Sequence, residues 1–221
     1  ENLCIVQARM GSSRLPGKII FKLDKKKTVI QFLIERLLKS KNINKVIVAT
    51  TTNKEDKFLK KHLKKYKCEV FYGPAENVLK RYYLASQKYK AVNIIRITAD
   101  CPFVDPSLID KIIKFHKVQK SDYTSNTLLT TFPNGQDIEI FKFDILKDAY
   151  KNAKTSYEKE HVTPFIKNNN LILKKNFKST INLSSFRMTL DYYDDFVVIK
   201  KLYDILKKRK FFYLKNIIQL M

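Results

Sequence analysis

The sequence predicts an α/β fold, a mostly parallel sheet with helices on both faces, and three observations predict it. Short apolar runs alternate with amphipathic stretches through the first half of the chain. One of those runs, Lys45–Thr50 (KVIVAT), is apolar on successive positions and rich in β-branched residues, the pattern of a strand buried on both faces. The chain also has 221 residues, 44% of them hydrophobic, enough to enclose one sizeable core.

Taken in order, Leu3–Gln7 is a short apolar strand, and a glycine- and serine-containing loop follows it. Thr28–Lys39 reads as a helix with Ile30, Leu33, Ile34, Leu37 and Leu38 on one side. Lys45–Thr50 is the second strand, Lys54–Tyr66 a lysine-rich amphipathic helix, Cys68–Tyr72 the third strand and Glu76–Gln87 a further helix. Val92–Thr98 (VNIIRIT) is the fourth strand. Pro106–His116 is a helix that opens on Asp105-Pro106, a capping side chain followed by a proline whose missing N–H costs nothing there. The second half is less regular. Asp122–Ser125, Ile138–Phe143 and Leu171–Phe177 read as strands, Asp144–Ala153 and Tyr157–Lys167 as helices. Asp194–Lys208 is a helix with Phe196, Ile199, Leu202, Tyr203 and Leu206 on one face. No linker and no repeat interrupts residues 1–221, so they read as one domain with a protruding second half. The chain opens on Glu1 and closes on an apolar run, Asn216–Met221, as trimming or excision from a longer chain leaves it.

Composition removes several classes of function. The formal net charge is +23, from 44 basic and 21 acidic residues. Seven of the basic residues are arginine and 37 are lysine, and the lysines are spread over helical surface. Base reading favours the flat fork of arginine, so no nucleic-acid partner is expected. The positive field nonetheless draws in small, highly charged substrates such as nucleotides. No apolar run approaches the ~20 residues of a membrane helix, and no signal peptide opens the chain, so no membrane insertion is expected. Cys4, Cys68 and Cys101 lie far apart with no CxxC spacing, which argues against a disulfide framework and a zinc site and suits a reducing cytoplasm.

The most informative stretch is Gln7–Lys18, QARMGSSRLPGK. Because it follows a buried strand, it lies at the carboxyl edge of the sheet, where open α/β sheets bind ligands. Gly11 lets backbone N–H groups approach a phosphate, Ser12 and Ser13 add hydroxyls, and Arg14 and Lys18 bring two cations. The loop has neither the GxxxxGK[ST] of a Walker loop nor the GxGxxG of a dinucleotide fold. A second candidate is Asp100, which leaves the end of the strand Ile94–Thr98 and can point into the same crevice. Mg²⁺ takes about six oxygens, one or two of them from carboxylates and others from phosphates. Asp105 reads as a helix cap, Asp194 and Asp195 as the acidic start of a helix.

VQARMGSSRLPGK resembles the opening signature of sugar-activating nucleotidyltransferases. It is most similar to cytidylyltransferases of the spore-coat-polysaccharide type, relatives of the CMP-sialic acid and CMP-KDO synthetases. The resemblance runs along nearly the whole chain, through VIVATT (Val46–Thr51), FYGPAENVLKRYY (Phe71–Tyr83), IIRITADCPFVDP (Ile94–Pro106), NGQDIEIF (Asn134–Phe141), EKEHVTPF (Glu158–Phe165) and MTLDYYDDF (Met188–Phe196). It implies a three-layer, Rossmann-like domain of the GT-A type, with residues 120–180 as a substrate and dimerisation subregion.

The resemblance also implies roles. Arg14, Lys18 and Asp100 are the catalytic candidates, with Asp100 and Asp191 holding Mg²⁺; Tyr192-Tyr193 replace the Thr-Pro usual after that second aspartate. Ala8, Arg9, Met10, Gly11, Ser12, Ser13, Thr50, Thr51, Gly73, Asn77, Arg81 and Thr98 would face the nucleotide, although Asn77 could also be only a helix cap. Asp137, Glu139, Glu160, His161 and Arg187 would meet the sugar; Asp137 and Glu139 share one side of a strand and could instead complete the metal site. His62 and His116 read as surface residues on lysine-rich helices, and Tyr192 and Tyr193 as packing. The implied activity is Mg²⁺-dependent transfer of CMP from CTP to a sugar, an acidic one, with release of pyrophosphate, by a cytoplasmic homodimer serving surface polysaccharide synthesis. Two alternatives stay open: a transferase of the same fold with another acceptor or nucleotide, and a non-catalytic nucleotide- or nucleic-acid-binding protein.

Overall fold

Four strands from the first half of the chain lie parallel: β1 (Asn2–Gln7), β2 (Lys45–Thr51), β3 (Cys68–Gly73) and β4 (Asn93–Thr98). Three more extend the sheet: β5 (Tyr123–Ser125), β6 (Glu139–Lys142) and β7 (Lys174–Asn176). The computed structural model describes residues 1–209 and 212–221. Strand order is β3-β2-β1-β4-β6-β5-β7, and only β6 runs against its neighbours, so the sheet is mostly parallel as expected.

Alternation along the strands makes three layers. Cys4, Val6, Val46, Val48, Ile95 and Ile97 point to one face. There they meet α1 (Val29–Leu37), α2 (Leu59–His62) and α4 (Pro106–Val118). Leu3, Ile5, Ile47, Ala49 and Ile94 point to the other face. There they pack on α3 (Val78–Lys88), α5 (Phe143–Asn152) and α7 (Pro164–Asn168). A third cluster joins Leu23, Phe32, Phe103, Met188 and Leu190 to α8 (Tyr193–Leu206) and α9 (Leu214–Ile218). Residues 120–180 supply β5, β6, β7 and the helices α5, α6 (Ser156–His161) and α7.

Several expectations are corrected in detail. The helix expected over Lys54–Tyr66 is a 3₁₀ turn, Lys54–Asp56, followed by the four residues of α2. Lysines 57, 60, 61, 64 and 65 stack like charges three and four apart, which disfavours a longer helix. The helix expected over Tyr157–Lys167 is split into α6 and α7 at Val162, whose φ is 71°. Pro164 has no N–H to continue the ladder of α6, and it stands instead in the first turn of α7, where that N–H would be unpaired in any case. His116 is not at the surface. It is buried, its Nδ1 2.8 Å from Thr124 Oγ1, and burial lowers its pKa to about 4. His62 is half-buried, with Nε2 3.0 Å from Thr28 Oγ1. Tyr192 and Tyr193 are exposed rather than packed.

Candidate active site

The loop after β1 is pinned at its base. Ala8 N–H donates to Ala49 O at 3.2 Å, continuing the parallel ladder for one residue. Met10 N–H donates to Asp56 Oδ1 at 2.8 Å, and the same buried carboxylate accepts from Thr51 N–H at 3.2 Å and from the Thr51 hydroxyl. Met10 O in turn accepts from the N–H groups of Ser12 and Gly17, each at 2.9 Å. Gly17 has φ +70°, a left-handed conformation natural to glycine, and it turns the chain into a single 3₁₀ turn, Lys18–Ile20. That turn puts the Lys18 side chain indoors; the residue is only 9% exposed.

Asp100 and Asp191 converge on Lys18 because two backbone bonds bring their segments together. Ala99 N–H donates to Gln7 O at 3.0 Å, which holds the end of β4 beside the loop. Leu190 N–H donates to Asp100 O at 2.8 Å, which lays the segment before α8 against the same strand end. Gly135 stabilises that approach. Its φ is +100°, and a Cβ there would stand 2.7 Å from the Met188 carbonyl carbon. Lys18 Nζ consequently donates to Leu190 O at 2.6 Å, and lies 3.3 Å from both Asp100 Oδ2 and Asp191 Oδ1. Arg14 reaches Asp191 Oδ1 at 2.6 Å and lies over the Tyr192 ring.

Asp191 is held from the other side too. Arg187 donates to Asp191 Oδ2 at 2.9 Å and to Asp195 Oδ1 at 3.1 Å. Asp195 Oδ2 accepts from the N–H groups of Asp191 and Tyr192, at 2.8 and 2.9 Å, and so caps α8. Burial pushes the Asp191 carboxyl up, but Lys18, Arg187 and Arg14 outweigh it and hold the pKa below the usual aspartate value. These same three cations are the ion-pair partners of the carboxylate in this structure.

Arg14, Lys18 and Asp100 open on a cleft of about 340 Å³, whereas Asp191 is not among its lining residues and is tied to it through its ion pairs with Lys18 and Arg14. Ala8, Arg9, Ser12, Ser13, Arg14 and Lys18 line it from the loop, Thr98 and Asp100 from the end of β4, Arg81 from α3, and Glu160 and His161 from the end of α6. Arg9 and Glu160 face one another across the mouth at 3.9 Å. His161 is exposed, its ring 4.5 Å from that of Tyr157. Gly11 is exposed on the same loop, and a Cβ there would meet nothing within 4 Å.

Other candidates stand elsewhere or are already committed. Thr50 and Thr51 are buried, and Thr51 serves Asp56. Asn77 caps α3 by accepting from Lys80 N–H at 2.8 Å. Arg81 is buried and donates to Pro74 O at 2.7 Å and Ala75 O at 3.1 Å. Gly73 gives it room, since a Cβ there would come within 2.7 Å of Arg81 Cγ. Glu139 does not face the cleft for a sugar or a metal. It is buried opposite Arg96 in the β4–β6 ladder and both oxygens are taken, by Arg96 at 2.6 Å, Tyr123 at 2.6 Å, Thr163 at 2.8 Å and Lys167 at 2.8 Å. Burial pushes its carboxyl up, yet Arg96 and Lys167 bring it down to about 2. Asp137 lies just before β6; burial and the nearby Glu139 and Asp100 charges raise its pKa, despite a hydrogen bond from Gly135. Arg187 is engaged with Asp191 and Asp195 rather than free.

Sequence reasoning missed Asp56, which braces the loop from 46 residues away in sequence, and the bracing role of Asp195. It also missed the cleft walls Gln7, Ile19 and Val78. Gln7 and Val78 lie within the quoted motifs, but nothing in a single sequence says which way they face.

The donor set fits magnesium. Among the described residues no cluster of three or more His, Cys, Asp and Glu side chains forms a closed metal cage. Two hard carboxylates, Asp100 lining the cleft and Asp191 on the other side of the Lys18 ammonium, suit an ion that completes its shell with water and phosphate oxygens.

The family profile described as cytidylyltransferase matches residues 3–221. The spore coat polysaccharide biosynthesis protein SpsF of Bacillus subtilis is 34% identical over 209 residues, 91% of this chain and 85% of that protein. The structure of a cytidylyltransferase from Leptospira borgpetersenii superposes with a TM-score of 0.94 at 30% identity, covering 99% of this chain and 92% of that one. A CMP-2-keto-3-deoxy-manno-octonic acid synthetase complexed with CTP shares the fold, with a TM-score of 0.68 at 17% identity over 93% of this chain and 99% of that one.

Proposed function

This chain belongs to the cytidylyltransferase family and is a nucleotidyltransferase, and from that premise we propose that it transfers CMP from CTP to a hydroxyl of an acidic sugar, with release of pyrophosphate. The observation that supports this reading best is the meeting of Asp100, Asp191 and Lys18 beneath the glycine loop. The sugar hydroxyl oxygen attacks the α-phosphorus in line and gives up its proton to solvent water; the bond from that phosphorus to the β-bridging oxygen breaks, and pyrophosphate leaves. Arg14, Lys18 and the loop N–H groups hold the β- and γ-phosphates and steady the charge that builds on the leaving group. Asp100 and Asp191 hold the divalent cation, magnesium in this reading, which when bound polarises the α-phosphate as a Lewis acid. Aligning the two substrates in one cleft is worth roughly 7–11 kcal/mol of barrier.

The outer cleft serves the acceptor. Arg9 and His161 at the mouth suit an anionic sugar, with Glu160 accepting from its hydroxyls. Arg187 contributes to this side only through Asp191. The working unit is a cytoplasmic homodimer formed through residues 120–180. Two features of that segment support it: β7 is an edge strand, and Leu128, Leu129, Leu171 and Leu173 within the segment are exposed. No helix among the described residues is long and apolar enough to cross a membrane.

The test is pyrophosphate release with each of the four ribonucleoside triphosphates across a panel of acidic and neutral sugars. The reading expects release with CTP, an acidic sugar and Mg²⁺ together. Release with another nucleotide, or none with CTP and any acceptor, overturns it.

A further inference from the structure

In this structure an ammonium group sits between Asp100 and Asp191, the two carboxylates that would hold the metal. Lys18 Nζ lies 3.3 Å from an oxygen of each carboxylate and is anchored by Leu190 O at 2.6 Å. Lys18 is largely buried, so it is not a surface chain swinging freely in water. The carboxylates around the seat are already paired: Asp100, Asp191 and Asp195 face Lys18, Arg14 and Arg187, and Asp137 lies near enough to Asp100 to feel its charge. Asp191 has three cationic partners, whereas Lys18 is the one cationic partner of Asp100 among the described residues. A divalent cation entering this arrangement alone meets three positive charges and displaces one of them from a site that solvent screens poorly. A metal arriving on a triphosphate brings the anion that Lys18, Arg14 and the loop N–H groups would otherwise lack.

We propose that Lys18 keeps the metal seat closed in the nucleotide-free protein and yields it only to a metal–nucleotide complex, by moving from the two carboxylates to the incoming phosphates. The divalent cation is then acquired with the nucleotide and not before it. This rests on the reading of the site as one for CTP and a metal, but it concerns a step that precedes any chemistry.

The test is a titration of purified protein with Mn²⁺, read by electron paramagnetic resonance of the free ion, so that no turnover is involved. Wild type without nucleotide is expected to bind Mn²⁺ weakly. Lys18→Met, which keeps the length of the side chain and removes its charge, is expected to bind Mn²⁺ at least about tenfold more tightly without nucleotide. Lys18→Arg, which keeps the charge, is expected to stay close to wild type, and wild type with CTP is expected to take up Mn²⁺ into a ternary complex. Nucleotide-free wild type binding Mn²⁺ as tightly as it does with CTP overturns the proposal, and this arm holds even if Lys18→Met fails to fold. Equal affinity in wild type and folded Lys18→Met overturns it as well. The wider reading falls by a separate result, absence of pyrophosphate release from CTP, so the two failures are distinguishable.

Discussion

Asp56 supports the loop from below by accepting from Met10 N–H, Thr51 N–H and the Thr51 hydroxyl, all within the buried base of the β1 and β2 ends. Removing the carboxylate leaves those donors unmet, at a cost of about 1–3 kcal/mol each where no water reaches them. Asp56→Ala is expected to lower Tm and to raise KM for CTP about tenfold or more; an unchanged KM in a folded variant would show that the brace does not matter to the nucleotide. Gly11 poses the opposite case. Its backbone is not left-handed and a Cβ would touch nothing, so the fold itself does not ask for glycine there. Gly11→Ala is expected to keep Tm within about 2 °C, since surface changes of this kind are worth ~0.5 kcal/mol, while raising KM for CTP as the added methyl stands between loop and phosphate.

At the scale of elements, α8 orders Asp191 through its own N-terminus. Asp195 caps the helix, holds Asp191 N–H and clamps Arg187, which grips Asp191 Oδ2. Asp195→Ala therefore removes a cap worth ~1 kcal/mol and frees Arg187 to pull Asp191 aside. The expected result is a modest fall in Tm with a larger fall in kcat and a rise in the Mg²⁺ concentration for half-maximal rate. A drop in Tm without any change in metal requirement would limit Asp195 to capping. The split between α6 and α7 also belongs to this scale. Val162 is buried with φ 71°, and Thr163 N–H donates back to His161 O at 2.8 Å, a tight three-residue turn of the strained kind. It ends α6 at His161 and turns Thr163 inward to Glu139.

At the scale of the whole molecule, the +23 charge is borne mainly by lysines outside the cleft. Acid, more than salt, is expected to unfold the chain. Glu139 is ordinarily near 4.5 and is held at about 2 in the fold, so its contribution is complete above the unfolded value and is lost as pH falls toward 2. His116 is ordinarily near 6.5 and is held at about 4, so the unfolded chain takes up the proton first and stability falls from pH 6.5 to 4. Asp137, whose pKa is raised, offsets part of this loss. Tm is expected to decline below pH 6.5, as the unfolding free energy falls by up to about 1.4 kcal/mol per pH unit through His116. A folded His116→Gln variant is expected to flatten the upper part of that decline; the same slope in both proteins would remove His116 from the account.

How far this was legible in the sequence differs by kind of contact. β1, β2 and β4 were legible because strands in the middle of the sheet carry apolar runs such as KVIVAT, while β3, a half-buried edge strand, was legible from its place in the strand–helix alternation. Asp100 was legible because it leaves the end of a parallel strand, whereas Lys18, on a 3₁₀ turn, and Asp191, on the segment before α8, were legible through motifs that resemble a family. Glu139 was misassigned because alternation gives the side of a strand but not what covers it, and here Arg96, Lys167 and Tyr123 cover it. Asp56 and His116 were missed because their partners, Met10 and Thr124, lie on other elements.

In the proposed reaction Asp100 and Asp191 together would seat the cation that CMP transfer needs. The most direct measurement is the rate of pyrophosphate release from CTP, at saturating acceptor and Mg²⁺, by wild type, Asp100→Asn and Asp191→Asn, with circular dichroism confirming the fold. Each variant is expected to lose at least about a hundredfold in kcat, about 2.7 kcal/mol of barrier. Wild-type turnover by either folded variant would contradict the account.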